Sequence, residues 1–130
     1  MKPGLQEKLY EAYPKIFAQR KSSMSETCMC WGIETPDSWY HIIDALCLSI
    51  QNYLDENYIL PQVEAVQVKE KFGTLRFYIS GGDEIIDGFI NAAEEESSKI
   101  CAGCGSYTDV KPTKGWITYL CPTCTKKEKK

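Results

Sequence analysis

Cys101-Ala-Gly-Cys104 and Cys121-Pro-Thr-Cys124 are two C-x-x-C pairs separated by sixteen residues. A soft metal such as Zn²⁺ takes four thiolates in a tetrahedron, with each sulfur about 2.3 Å away. One C-x-x-C turn presents two sulfurs from a single tight loop, and two such turns facing each other close the shell. The spacing falls within the window of a four-cysteine zinc site. Gly103 and Gly105 suit the first turn because glycine tolerates a positive φ, and Pro122 stiffens the second. Four protein ligands leave no open coordination position for water or substrate. The expected ion is therefore a single structural Zn²⁺ on Cys101, Cys104, Cys121 and Cys124. Two disulfides or four unrelated thiols are the competing reading. Seven cysteines behind an N-terminus that lacks the apolar core of a signal peptide favour a reducing compartment and metal binding instead.

Other residues carry weaker chemistry. His41 falls on the polar side of a helical pattern, and a lone histidine there reads as a surface residue. Cys28 and Cys30 could join it in a second metal site, whereas Cys47 lies on an apolar stripe and reads as core. Gly81-Gly82-Asp83 has anion-binding character but is sufficiently explained as a strand-to-helix turn. Glu94-Glu95-Glu96 reads as a solvated helix face. No Ser or Cys sits in a recognisable nucleophile motif and no Gly-rich phosphate loop is present, so no catalytic residue and no organic cofactor are expected. Lys69, Lys71, Arg76 and Tyr78 share the polar face of an expected hairpin. Basic side chains beside an aromatic can hold phosphates or stack a base. Pairing with Glu64 or Glu70 as ordinary surface charge is the competing reading.

The elements that must position these residues follow from periodicity. Leu5, Leu9 and Ala12 or Tyr13 give a first helix ended by Pro14, with a short turn over Lys15–Ala18. Residues 20–37 read as a long loop. Trp39, Ile42, Ile43, Leu46, Cys47, Ile50, Tyr53 and Leu54 form a wide stripe predicting a helix over 38–55, capped by Asp37 or Ser38. Val63 to Val68 and Leu75 to Ile79 make a two-stranded hairpin turning at Gly73, with Val66, Val68, Leu75, Phe77 and Ile79 inward. Asp83 caps a helix over 84–100, with Ile85, Ile86, Phe89, Ile90 and Ala93 as its stripe, running directly into Cys101. The expected fold class is α+β: helices packed on a small antiparallel β-hairpin, with a C-terminal four-cysteine zinc knuckle or ribbon. Residues 1–100 form the core, 101–125 a zinc module continuous with it, and 126–130 a basic disordered tail.

Composition sets the outer bounds. At 130 residues, 43% hydrophobic and 25% charged, the chain has room for one domain with a small appended module. No apolar run reaches the length of a membrane span. Residues 1–100 carry nine Lys/Arg against sixteen Asp/Glu, a balance of −7, while 101–130 carry six Lys against two acids, a balance of +4. The acidic body weakens a nucleic-acid reading, since that affinity rests on neutralising phosphates.

Several blocks occur in one order in a known group. They are Trp31-Gly32-Ile33-Glu34, Ser38 to Cys47, Val68-Lys69-Glu70-Lys71-Phe72-Gly73-Thr74-Leu75-Arg76-Phe77-Tyr78, Cys101-x-x-Cys104-Gly105 and Gly115-Trp116-x-x-x-Leu120-Cys121-x-x-Cys124. Over roughly residues 28–124 the chain resembles a largely uncharacterised group of short proteins encoded by tailed bacteriophages and prophages. It departs from the group at Thr35-Pro36-Asp37-Ser38, where the group often has a Cys-Gly-Asp-Gly-like stretch. The resemblance implies a phage product acting in the bacterial cytoplasm, and it implies no reaction. The expected function is non-catalytic binding of a host component, foremost a host protein, in host takeover or anti-defence. A nucleic-acid-binding zinc module and a sponge for small nucleotide signals are the alternatives.

Overall fold

A computed structural model describes residues 1–22 and 27–128 of the chain. Helix α1 spans Pro3–Ala12. Pro3 sits in its first turn, where the missing N–H is no loss, and Pro14 lies just past its end. Leu9, Tyr10, Tyr13, Ile16 and Phe17 are all buried, so the segment around Pro14 continues the core rather than leaving it.

The region read as one long loop contains structure. Residues 23–26 lie outside the described part. Beyond them, short 3₁₀ turns at Cys28–Trp31 and Asp37–Trp39 flank a two-residue strand, β1, at Ile33–Glu34. Strands β2 (Glu64–Lys71) and β3 (Thr74–Ser80) form the expected antiparallel hairpin, and β1 pairs parallel to β2, giving a three-stranded mixed sheet in the order β1-β2-β3. The third strand corrects the two-stranded expectation. It exists because tertiary partners hold it: the Gln6 side chain accepts from Ile33 N, and the N-terminal ammonium donates to Ile33 O at 3.0 Å. Two residues offer no periodicity that could announce them.

Helix α2 runs Tyr40–Glu56 and buries Ile42, Ile43, Leu46, Cys47, Ile50 and Leu54. Neither expected cap acts on it. Asp37 instead accepts from Lys2 N at 2.7 Å, and Ser38 Oγ donates to Ala102 O at 3.0 Å. Helix α3 spans Glu84–Ser97, three residues shorter than expected. Asp83 caps it as expected, its Oδ1 accepting from Ile85 N at 3.0 Å and Ile86 N at 3.1 Å. Ile85, placed on the apolar stripe by sequence, is exposed. Helices α2 and α3 pack on each other, and α3 lies along β3.

A bulge between Ala65 and Gln67 shifts the register of β2. Ala65 and Val68 both point inward as a result, and Val66 is only half-buried, contrary to the expected Val66/Val68 alternation. The extra residue of a bulge restarts the two-residue period. The core joins α1, α2, α3 and the inner face of the sheet. A second, smaller cluster of Cys101, Leu120, Cys121 and Cys124 sits beneath strands β4 (Lys111–Pro112) and β5 (Tyr119–Leu120). Helix α4, Pro122–Glu128, closes the chain, so Lys126 and Lys127 are helical where a disordered tail was expected; residues 129 and 130 lie outside the described part. Among the described residues no helix is long and apolar enough to cross a membrane.

Candidate metal centre and flanking surfaces

The four sulfurs of Cys101, Cys104, Cys121 and Cys124 lie within 4.8 Å of one another. Cys104 and Cys121 are 3.7 Å apart. A tetrahedron of sulfurs about 2.3 Å from a central ion has edges of about 3.8 Å, so the cluster has the dimensions of a metal site. No disulfide joins the seven cysteines.

Local backbone builds each half. Gly105 N donates to Cys101 O at 2.9 Å, closing the first turn, and Gly105 adopts φ +81°, which favours glycine. A Cβ on Gly103 would stand 3.0 Å from Cys124 Sγ, so the two turns need its bare backbone to face each other. Pro122 starts α4, and Thr125 donates to Cys121 O through both N and Oγ1, each at 2.9 Å. The knuckle is tied to the core by the Ser38–Ala102 bond, and Ala102 N donates to Tyr119 O at 2.9 Å.

Electrostatics favour a metal. Burial opposes charge on Cys101, yet backbone amides of Cys121, Cys104 and Gly103 aimed at its sulfur, with help from the Cys124 thiol, bring the thiol down to about 6. Hydrogen bonding to Cys101, followed by burial, pushes Cys124 up to about 12. Cys101 thus gives up its proton readily while Cys124 holds its own, and a cation bound by the cluster would take that proton's place. The four residues could hold a metal ion.

The hairpin brings its basic residues onto one face. Lys69 pairs with Arg76 across the ladder, Lys71 with Thr74, and Gln67 with Tyr78, so Lys69, Lys71, Arg76 and Tyr78 all point away from the core. Lys69 and Arg76 are like charges directly opposite, an arrangement that is destabilising by itself. The ion pairs among the described residues are Lys2–Asp37 and Arg20–Glu7, so no carboxylate pairs with these three cations. Glu34 stands opposite Lys69 on β1 without an ion pair to it, and Glu64 accepts from Gln19.

Other candidates separate. Cys28, Cys30 and His41 form no ligand cluster among the described residues. His41 is exposed at the start of α2, and Cys47 is buried in the core. Glu94 is not merely solvated: its Oε2 accepts from Phe77 N at 3.3 Å. An open groove of about 370 Å³ between α2 and α3, lined in part by His41, Ser49, Phe89, Glu96 and Tyr107, had no sequence signal. There, burial and a hydrogen bond to Glu96 push the Tyr107 phenol above its ordinary value. Sequence reasoning also passed over Phe72 and Trp116, which are 68% and 86% exposed at the tips of the two hairpins. Their positions beside Gly73 and Gly115 were the signal available, because turn glycines mark loop tips.

No family model, curated protein or solved structure matches this chain.

Proposed function

We propose that the chain is a non-catalytic, zinc-stabilised phage accessory protein that binds a host component in the bacterial cytoplasm, in host takeover or anti-defence. The observation that carries the binding reading is the Lys69–Arg76 pair. Two cations held opposite each other on a sheet face, with Glu34 beside Lys69 but no ion pair to either among the described residues, suit an acidic surface on a partner. Lys71 and Tyr78 extend the same face. A folded host protein with an acidic patch is the partner this charge pattern fits.

The metal in this reading is Zn²⁺. Four thiolates at tetrahedral spacing match its preference for soft ligands, and a closed shell makes it structural. Its role is to hold the two C-x-x-C turns together, and the chain's own residues fix that module against α2 and the hairpin.

Affinity capture from a bacterial lysate tests the binding surface, with the wild type compared against the Lys69→Glu/Arg76→Glu double variant. A protein retained by the wild type and lost by the variant, at equal thermal midpoints, supports the reading. Equal capture by both overturns it.

A further inference from the structure

We infer that the joined tips of the β2–β3 and β4–β5 hairpins form a binding site for single-stranded nucleic acid. This surface shares Lys71 with the proposed partner face but does not depend on the Lys69–Arg76 pair.

The two tips touch. A Cβ on Gly73 would stand 3.0 Å from Tyr119 Cδ2 and 3.1 Å from Ile117 O, so the first turn lies against the second hairpin. Each tip holds an aromatic ring in water, Phe72 at 68% and Trp116 at 86% exposed. Phe72 adopts φ +53°, a conformation bulky L-residues avoid, in a two-residue turn that ordinarily takes Asn-Gly. The turn would be easier to form with a polar residue, so its aromatic ring has a use outside the fold. The second tip is braced: Thr113 Oγ1 donates to Trp116 O at 2.8 Å and accepts from Thr118 N at 3.0 Å.

Charge decides the occupant. The tip residues 71–74 and 110–118 contain Lys71, Lys111 and Lys114 and no carboxylate, in a chain of net charge −3. Lys71 Nζ lies 5.6 Å from the centre of the Phe72 ring. A cation against a presented ring places a phosphate contact beside a stacked base. Rings of this kind stack on unpaired bases without the cost of prising base steps apart, so a single strand fits better than a duplex.

The test is fluorescence anisotropy with a labelled oligo-dT of about 12 nucleotides, a length within the reach of one small module. Phe72→Ala and Trp116→Ala should each weaken binding at least about fivefold with unchanged thermal midpoints, the loss typical of one stacked base. With phosphates at Lys71 and Lys114, the slope of log K against log salt should be about −1.4, and Lys114→Ala should make it shallower by about 0.7. Absence of oligonucleotide binding by the wild type overturns the proposal. Equal binding by the aromatic variants, or a duplex held as tightly, also overturns it. Sedimentation with phosphatidylserine vesicles that the oligonucleotide does not compete away would assign the tips to lipid. The Lys69→Glu/Arg76→Glu variant keeps both tips and should bind the oligonucleotide, so loss of a captured host protein and loss of the single strand are read separately.

Discussion

Ser97 Oγ accepts a 2.8 Å hydrogen bond from Leu75 N and donates one of its own to Glu94 O. With Glu94 serving Phe77 N, the last turns of α3 satisfy amides on the side of β3 away from β2. The free edge of the sheet is thereby covered by a helix rather than left open to pairing.

Ser97→Ala should therefore cost about 1–3 kcal/mol, the penalty of leaving a buried amide without an acceptor. Ser98→Ala, one residue on and directed at α3's own backbone, should cost much less. Urea unfolding of both variants checks the contrast.

Leu46→Ala and Phe77→Ala should each cost about 2–5 kcal/mol, because both side chains are almost fully buried and their removal leaves a cavity. Val66→Ala should cost well under that range, since the bulge turns Val66 out of the core. Equal losses at Val66 and Phe77 in denaturant melts would show that the bulge is misplaced.

Purified, reduced protein should contain about one zinc per chain. Cys101→Ser or Cys124→Ser should lose it and expose the small cluster around Leu120, with Cys47→Ala keeping the metal. Elemental analysis with circular dichroism before and after a chelator measures both effects.

Phe72→Asn should raise stability by about 1 kcal/mol, because asparagine tolerates the left-handed conformation that phenylalanine must be held in. Such a gain, accompanied by loss of oligonucleotide binding, would show the tip trading stability for contact. A lowered thermal midpoint would contradict the strain argument.

Acid should loosen the start of α3. The Tyr53 hydroxyl donates to Asp83 Oδ2 at 2.6 Å, and this bond, joined by the amides of Ile86 and Ile85, holds the Asp83 carboxyl below its ordinary value. A lowered carboxyl pKa stabilises fully above the unfolded value of about 3.9, and that contribution is lost as pH falls through the folded value. Tyr53 shifts the other way, upward, chiefly through its bond to Asp83, so its contribution holds at neutral pH and fades in strong alkali. Asp83→Asn should flatten the acid limb of stability against pH, read from urea midpoints, while Tyr53→Phe flattens the alkaline limb and part of the acid limb.

Local chemistry made much of this legible in one dimension. The cysteine spacing fixed which four sulfurs could converge, because each C-x-x-C turn is a short-range structure. The stripe from Ile42 to Leu54, the Asp83 cap and the turn at Gly73 are likewise set by neighbours within a few residues. Strand register then carried Lys69, Lys71, Arg76 and Tyr78 to one face, as alternation requires.

Tertiary contacts decided the rest. Strand β1 depends on Gln6 and the N-terminus, the bulge at Val66 on pairing with β3, and the roles of Ser97 and Glu94 on where α3 lies. Asp37 and Ser38 look like caps in sequence, but distant partners engage both side chains. The meeting of Gly73 with Ile117 and Tyr119 joins turns more than forty residues apart. Sequence periodicity reports which side of an element is apolar. It carries no information on which distant element that side, or a tip, will meet, because those choices are made by the packing of the whole chain.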